Sequence, residues 1–228
     1  MALVVGDADW LAGADLSGFP VTWQAREAAI EVAAARAGGA AQLHAGRDGN
    51  LLVTGRVVSG DGADGLAGAA ARVSAAVDTA YVEHAPIEPE AGCAWMEGDV
   101  LVVSACTQAP VMDQEDTAKI LGLPREKVRI IPATAGGGFG TKLDVSLQPL
   151  LGLAVLKTGK PCRMVFTRHE SMVATTKRHP AAMRGSLAAD ADGRLVGMTF
   201  EGTFNPGAYA SGGPTVATRV PIHASGPY

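Results

Sequence analysis

The sequence predicts an α+β fold, with mixed sheets and packed helices. Short runs rich in Val, Ile, Leu and Thr, closed by Gly, Asp or Pro turn signals, predict strands. Between them lie segments with helical apolar spacing. Hydrophobic residues make up 47% of the 228 and charged ones 18%, enough for a real core and unlike the composition of a disordered chain.

Residues 1–20 carry little signal beyond Trp10 and Phe19. Gln24–Ala37 reads as a helix: it is rich in Ala and Glu, with Ala25, Ala28, Ala29, Val32 and Ala33 on one stripe, and Gly38-Gly39 stops it. Leu43–Gly49 is a polar connector. Leu51–Val58 reads as a strand closed by Gly60-Asp61-Gly62, Ala63–Ala75 as a short Ala-rich helix, and Val77–Val82 as a strand. Glu83–Glu90 gathers His84 and three carboxylates. Pro86 and Pro89 break any regular ligand spacing, so a rigid hydrogen-bonded turn is the better reading than a metal site. Gly92–Met96 and Val100–Cys106 form a hairpin around Glu97-Gly98-Asp99. Thr107-Gln108 then sits at a strand end, where polar side chains are presented to ligands.

Met112–Leu121 is helical, with Asp113 as candidate N-cap and Gly122 as stop. Val128–Ile131 is a strand. Asp144–Lys157 is helical, with Pro149 implying a kink or a late start, and Cys162–Phe166 reads as a buried strand. Arg168, His169, Glu170, Arg178 and His179 form a polar set that composition alone would allow to serve Ser171 as a hydrolase triad. No Gly-x-Ser-x-Gly elbow supports this, and an ion-pair network is the stronger reading. Ala182–Ala189 and Arg194–Thr203 are a hairpin around Asp190–Gly193, followed by a turn at Asn205-Pro206-Gly207.

The net charge of −4 gives no basic face for nucleic acid. No apolar run is long enough for a membrane span, and the first residues lack the basic region of a signal peptide. The three cysteines, Cys93, Cys106 and Cys162, are isolated in sequence. This fits small buried apolar side chains in a reducing cytoplasm better than a disulfide or cluster framework.

The most informative stretch is Ala135-Gly-Gly-Gly-Phe139-Gly140-Thr141-Lys142, between a strand and a helix. Consecutive glycines let backbone amides approach a ligand without intervening Cβ atoms, as an anionic cofactor would require. The registers of the phosphate loop and of the dinucleotide fingerprint both fail here. On spacing alone, a flexible strand-to-helix turn is an equal reading.

GGGFGTK resembles the GGGFGGK loop of the molybdenum hydroxylases, the xanthine dehydrogenase and aldehyde oxidase family. Tyr81–Glu90, Thr107-Gln108, Gly159–Arg163, Arg168–Glu170, Arg178–Pro180 and Gly207–Tyr209 resemble family segments in the same order, over roughly residues 43–228. The resemblance implies an uncertain helical segment at 1–42, a connector at 43–76, and an incomplete first molybdopterin-binding domain at 77–228. The stretch after Asn205-Pro206-Gly207, including Gly212-Gly213, resembles the family's next strand and loop.

By the same resemblance Gln108, Gly138, Phe139 and Gly140 contact the cofactor, molybdenum-molybdopterin or its cytosine dinucleotide form. The Gln108 amide and the Phe139-Gly140 peptide would sit beside the metal's oxo ligands. Thr141 replaces a usual Gly. Leu143 occupies the position where xanthine-oxidising members carry a substrate-binding Glu, which counts against xanthine; Asp144, one residue on, offers a shifted carboxylate.

The implied activity is hydroxylation of aldehydes or N-heterocycles with water-derived oxygen, with electrons leaving through iron–sulfur and FAD centres on other chains. The family's second cofactor domain, with its substrate Arg and catalytic Glu, has no counterpart in these residues. The resemblance therefore implies one piece of a molybdenum subunit, truncated or split, holding no catalytic base of its own. A catalytically silent fragment that folds against partner chains is the alternative.

Overall fold

The computed structural model describes residues 3–60 and 62–226. In chain order its elements are α1 (Ala8–Gly13), α2 (Val32–Arg36), α3 (Gly62–Ala67), β1 (Ala71–Thr79), β2 (Ala91–Glu97), β3 (Val100–Cys106), α4 (Pro110–Leu121), β4 (Val128–Ala133), α5 (Gln148–Thr158), β5 (Cys162–Val165), α6 (Arg168–Ala174), β6 (Ala181–Ala189), β7 (Leu195–Phe204) and α7 (Gly213–Ala224). Single 3-10 turns lie at Asp48–Asn50 and Arg125–Lys127. The architecture is α+β, as the sequence predicts. The chain divides into two compact units, Met1–Arg26 with Glu83–Thr176, and Glu27–Val82 with Lys177–Tyr228.

The first unit is built on a four-stranded mixed sheet, ordered β4-β3-β2-β5. β2 and β3 form the expected antiparallel hairpin, turning at Gly98 with φ +61°, while β3 and β4 run parallel. A parallel pair needs a crossover, and α4 supplies it. Leu101, Val102 and Val103 of β3 are fully buried, as an interior strand covered on both faces must be. Leu101 and Val103 join Ala94, Ala105, Leu147, Leu151 and Val155 in one core cluster. Gly152 of α5 is there for proximity: a Cβ on it would stand 2.6 Å from Leu121 Cδ1 and 2.9 Å from Leu101 Cδ2. α4 and α5 both end on left-handed glycines, Gly122 and Gly159, as the sequence indicates.

Several expectations are corrected in this unit. α4 begins at Pro110, whose fixed φ suits the first helical position. Asp113 is therefore no N-cap but a buried first-turn residue. Pro149 marks a late start of α5, not a kink. β5 pairs only with β2 and alternates between half-buried and exposed positions, so it is an edge strand and not a buried one. Cys106 is buried, but Cys162 is half-buried and Cys93 exposed.

The second unit holds a three-stranded antiparallel sheet, ordered β1-β6-β7. The β6–β7 hairpin matches the sequence reading; β1 does not. The Ala-rich stretch read as a helix at Ala63–Ala75 is split between α3 and the first half of β1, whose nine residues pair with β6 from Ala71↔Ala189 to Thr79↔Ala181. Pairing outweighs alanine's helix propensity here. The strand expected at Val77–Val82 stops at Thr79, leaving a single bridge between Val82 and Arg178. Gln24–Ala37 is helical only over α2, which buries no residue; an alanine stripe with nothing to pack against does not sustain a helix in water. Leu51–Val58, read as a strand, forms none. Its predicted closing turn includes Asp61, outside the described residues. After Asn205-Pro206-Gly207 the expected strand does not form; the chain runs as a loop to Gly212 and then enters the helix α7, with Pro214 in its first turn.

Candidate functional site

The glycine loop follows β4 and precedes α5, all within the first unit. Its backbone takes up left-handed geometry three times, at Gly137 (φ +108°), Phe139 (φ +55°) and Gly140 (φ +100°). This geometry is routine for glycine but strained for phenylalanine. The turns bring the amides of Gly140 and Lys142 onto one acceptor, the side-chain Oε1 of Gln108, at 3.0 and 3.3 Å. A main-chain bond from Gln108 N–H to the Lys142 carbonyl, 2.8 Å, completes the clasp. Gly138 lies so close that a Cβ on it would stand 2.4 Å from the Gln108 carboxamide.

Two amide donors require the carboxamide oxygen to face the loop. The Nε2 group then faces away from those amides, and it has no protein acceptor among the hydrogen bonds of the described residues. Gln108 is exposed, and so is Phe139, at 72%. The Phe139 ring lies over Gly137, where a Cβ would be 3.1 Å from it; the same Cβ would be 3.2 Å from Pro86 Cβ. The ring thus has local packing that its glycine neighbours do not suggest. Gln108, Gly138, Phe139 and Gly140 are brought together. The Gly140 N–H, expected to face a ligand, is engaged by Gln108 instead. Leu143 follows at the loop's end, 43% exposed.

A second layer, not legible in the sequence, holds this loop from beneath. Lys142 is buried, and its Nζ donates to Glu88 Oε2 at 2.6 Å and to the Glu88 carbonyl at 3.1 Å. The same Oε2 accepts the Gly136 N–H at 2.8 Å, and the Glu88 N–H donates to the Gly136 carbonyl at 3.3 Å. Burial pushes the Glu88 carboxyl upward, but the bonds from Lys142 and Gly136 and the Lys142 charge outweigh it and hold it below its ordinary value. The lysine of the motif is therefore a loop anchor, with its ammonium turned inward. Thr141 and Thr176 exchange hydroxyl-to-carbonyl bonds, each 3.3 Å, which gives the Thr in place of Gly a structural role. The Glu83–Glu90 segment is thus a hydrogen-bonded turn that clasps the loop; Ala85 N–H also caps Glu83 Oε1 at 3.1 Å.

Behind the site, Asp113 accepts from Gln148 Nε2 at 2.9 Å and links α4 to α5. Burial raises the Asp113 carboxyl, against hydrogen bonds from Thr107 and Gln148, and the charges of Asp116 and Asp144 raise it further. Cys106, at the end of β3, is buried as well; burial raises its thiol despite the Ala91 N–H on its sulfur.

The predicted ion-pair network around Arg168 takes another form. Arg168 donates to the Ile87 carbonyl at 2.6 Å, and Glu170 closes a capping box with Thr167. Ser171 is buried within α6, and Glu170 is committed to the cap. Arg178 and His179 belong to the second unit. A nucleophile buried in a helix, with its nearest carboxylate engaged elsewhere, is not a hydrolase site.

A loop of close-approaching backbone, a carboxamide donor on an exposed side chain and an exposed aromatic on a rigid base make a cradle for a polar, oxygen-rich group. A molybdopterin cofactor would fit here by placing an oxygen at Gln108 Nε2, which has no protein acceptor among the described residues; the loop glycines serve the cradle itself, since Cβ atoms on Gly136 and Gly138 would strike Glu88 and Gln108. Fold and cradle together define a cofactor-binding domain of α+β type. Residues 43–228 match the family of the molybdopterin cofactor-binding domain, and the chain belongs to that family.

The chain is similar to the nicotinate dehydrogenase large molybdopterin subunit of Eubacterium barkeri, 45% identical over 66% of this chain and 36% of that protein. It is similar also to the xanthine dehydrogenase molybdenum-binding subunit of Escherichia coli, 31% identical over 87% of this chain and 26% of that one. Among solved structures it resembles the aldehyde oxidoreductase of Desulfovibrio gigas, with a TM-score of 0.72 and 25% identity over 81% of this chain and 20% of that chain. The matched stretch thus spans between 26% and 36% of the length of these two curated relatives. No described helix is long and apolar enough to cross a membrane.

Proposed function

We propose that this chain forms part of the molybdenum-binding subunit of an oxidoreductase that hydroxylates aldehydes or N-heterocycles with water-derived oxygen. Residues 77–228 would contribute the first molybdopterin-binding domain, and 43–76 the connector. The bound molybdenum-molybdopterin, or its cytosine dinucleotide form, would supply the two-electron oxidation. This chain's residues bind and orient it. Gln108 donates from Nε2 to an oxygen of the cofactor; Gly138 lets the Gln108 carboxamide lie against the loop, and Gly140 takes the turn that brings its amide to Gln108 Oε1; Phe139 covers the site and excludes water.

Leu143, on the substrate side, gives an apolar wall where a carboxylate would favour a purine. The general base comes from a second molybdopterin-binding domain, and electrons pass to iron–sulfur and flavin partners. The three free thiols suit a cytoplasmic setting.

The observation that carries this reading is the convergence of the Gly140 and Lys142 amides on Gln108 Oε1, which leaves Nε2 without a protein acceptor among the described residues. The test is molybdenum and pterin content of the purified chain, alone and co-produced with the remainder of a molybdenum subunit. We expect near-stoichiometric loading only in the assembled form, and no aldehyde or purine oxidation by the chain alone. Stoichiometric molybdenum in the chain alone would remove the need for the second domain. No loading even in the assembly would reduce the chain to a scaffold.

A further inference from the structure

The Gln108 carboxamide holds the glycine loop by bonds with little to spare. The Lys142 N–H reaches its Oε1 at 3.3 Å, so a displacement of about 0.3 Å would break that contact. What keeps Gln108 in place lies behind it. Ala109, the next residue, is the N-cap of α4 and has no capping side chain of its own. Its backbone is gripped at both ends instead. The Ala109 N–H donates to the Thr107 hydroxyl oxygen at 2.9 Å, and the Asp113 N–H donates to the Ala109 carbonyl at 2.9 Å.

The Asp113 carboxylate ties these contacts to the other side of the loop. The Thr107 hydroxyl donates to it, which leaves the hydroxyl oxygen free to accept from Ala109. Gln148 Nε2 donates to Asp113 Oδ2 at 2.9 Å, and Gln148 Oε1 accepts the Ser146 N–H at 2.8 Å. Ser146 belongs to the segment that leaves the loop after Lys142. Thr107, Asp113 and Gln148 are 7%, 1% and 2% exposed, so their own unit already encloses the network. One buried acid therefore reaches both neighbours of Gln108 and the exit of the loop that Gln108 grips. A buried hydrogen-bond network of this kind is stiff, because displaced members leave unpaired polar groups behind.

We propose that Asp113 is a positioning residue for the Gln108 carboxamide. It acts through Thr107 and Ala109 on the strand end, and through Gln148 on the loop exit. Its consequence for cofactor binding rests on the reading of Gln108 as the cofactor's donor.

Amide hydrogen exchange at Gly140 and Lys142, in the assembled molybdenum subunit prepared empty, reports the placement of Gln108 directly. Asp113→Leu removes the acceptor and should speed both amides about tenfold, the worth of one or two lost hydrogen bonds. Asp113→Asn, which keeps an oxygen for Gln148, should stay within about twofold of the parent. Thr107→Val should act in the same direction as Asp113→Leu, and Thr107→Ser should restore the parent rate; this pair decides the matter if Asp113→Leu does not fold. In a Gln108→Ala background both amides exchange fast already, and either substitution should add less than about twofold. Unchanged exchange in Asp113→Leu and Thr107→Val would overturn the proposal. So would the same acceleration on top of Gln108→Ala, which would mean that the network stiffens the loop by a route other than Gln108. Pterin release from the loaded subunit should quicken in step with the exchange. Loosened amides with parent-like pterin release would leave Asp113 as the positioning residue and overturn the reading of Gln108 as the cofactor's donor.

Discussion

Replacing Lys142 by Met keeps most of the side chain's volume and removes its charge. In the folded protein the Lys142 side chain is 1% exposed and that of Glu88 28%. Removing one partner of a fully buried pair costs about 3–5 kcal/mol. Here water can reach the carboxylate, and the Gly136 N–H still bonds it, so a loss of about 2 kcal/mol follows, comparable to one charge-assisted bond.

The acid limb of stability should change as well. The folded Glu88 carboxyl lies below its ordinary value of 4.5. Its contribution is therefore fully present above that value and is lost as pH falls through the folded pKa. Without the ammonium, burial acts unopposed except by Gly136, so the Glu88 carboxyl should rise and this part of the acid limb should disappear. Urea unfolding from about pH 3 to pH 8 measures both effects, and the Glu88 carboxyl carbon shift by NMR reports the titration directly. A variant within about 0.5 kcal/mol of the parent, with an unchanged acid limb, would refute the anchoring role.

Three further outcomes follow from the geometry. Phe139→Gly relieves left-handed strain of about 1 kcal/mol and adds a similar unfolded-state entropy. Stability should therefore hold within about 1 kcal/mol while cofactor release, followed by pterin fluorescence, becomes faster. Asp113→Asn keeps the acceptor for Gln148 and removes a buried charge. The Asp113 carboxyl is raised above 3.8 in the fold, so its penalty is absent below that pH and full above the folded pKa. The variant should gain up to about 1 kcal/mol at pH 7, seen in urea unfolding, and nothing at acid pH. Ser171→Ala should leave any esterase background unchanged in a chromogenic ester assay.

The parts of the fold legible in the sequence are those whose local signals and tertiary partners agree. β2 and β3 share a turn at Gly98, α4 and α5 end on glycines at C-cap positions, and β6 and β7 flank Asp190–Gly193. Where partners decide, sequence misleads. Ala71–Ala75 carries helical composition but pairs with β6, and the alanine stripe of Gln24–Ala37 buries no residue fully. The candidate site shows the same division. The Gly-rich loop and Gln108 stand out from motif and position. The Glu88–Lys142–Gly136 clasp joins residues forty-eight and fifty-four positions apart, and no local pattern announces it. An inward lysine also looks, in sequence, like an outward one. Thr141 reads as a departure from the family loop until its exchange with Thr176 is seen.

The central claim is that the Gln108 carboxamide spends its oxygen on the loop and its nitrogen on the cofactor. Gln108→Glu separates the two, since a carboxylate still accepts the Gly140 and Lys142 amides but has no donor to offer. Molybdenum per protein in the assembled subunit, measured for the parent, Gln108→Glu and Gln108→Ala alongside urea stability, is the direct test. The account predicts that Gln108→Glu folds like the parent yet loses most of its molybdenum, while Gln108→Ala loses both loop stability and metal. Full molybdenum in a stably folded Gln108→Glu subunit would contradict it.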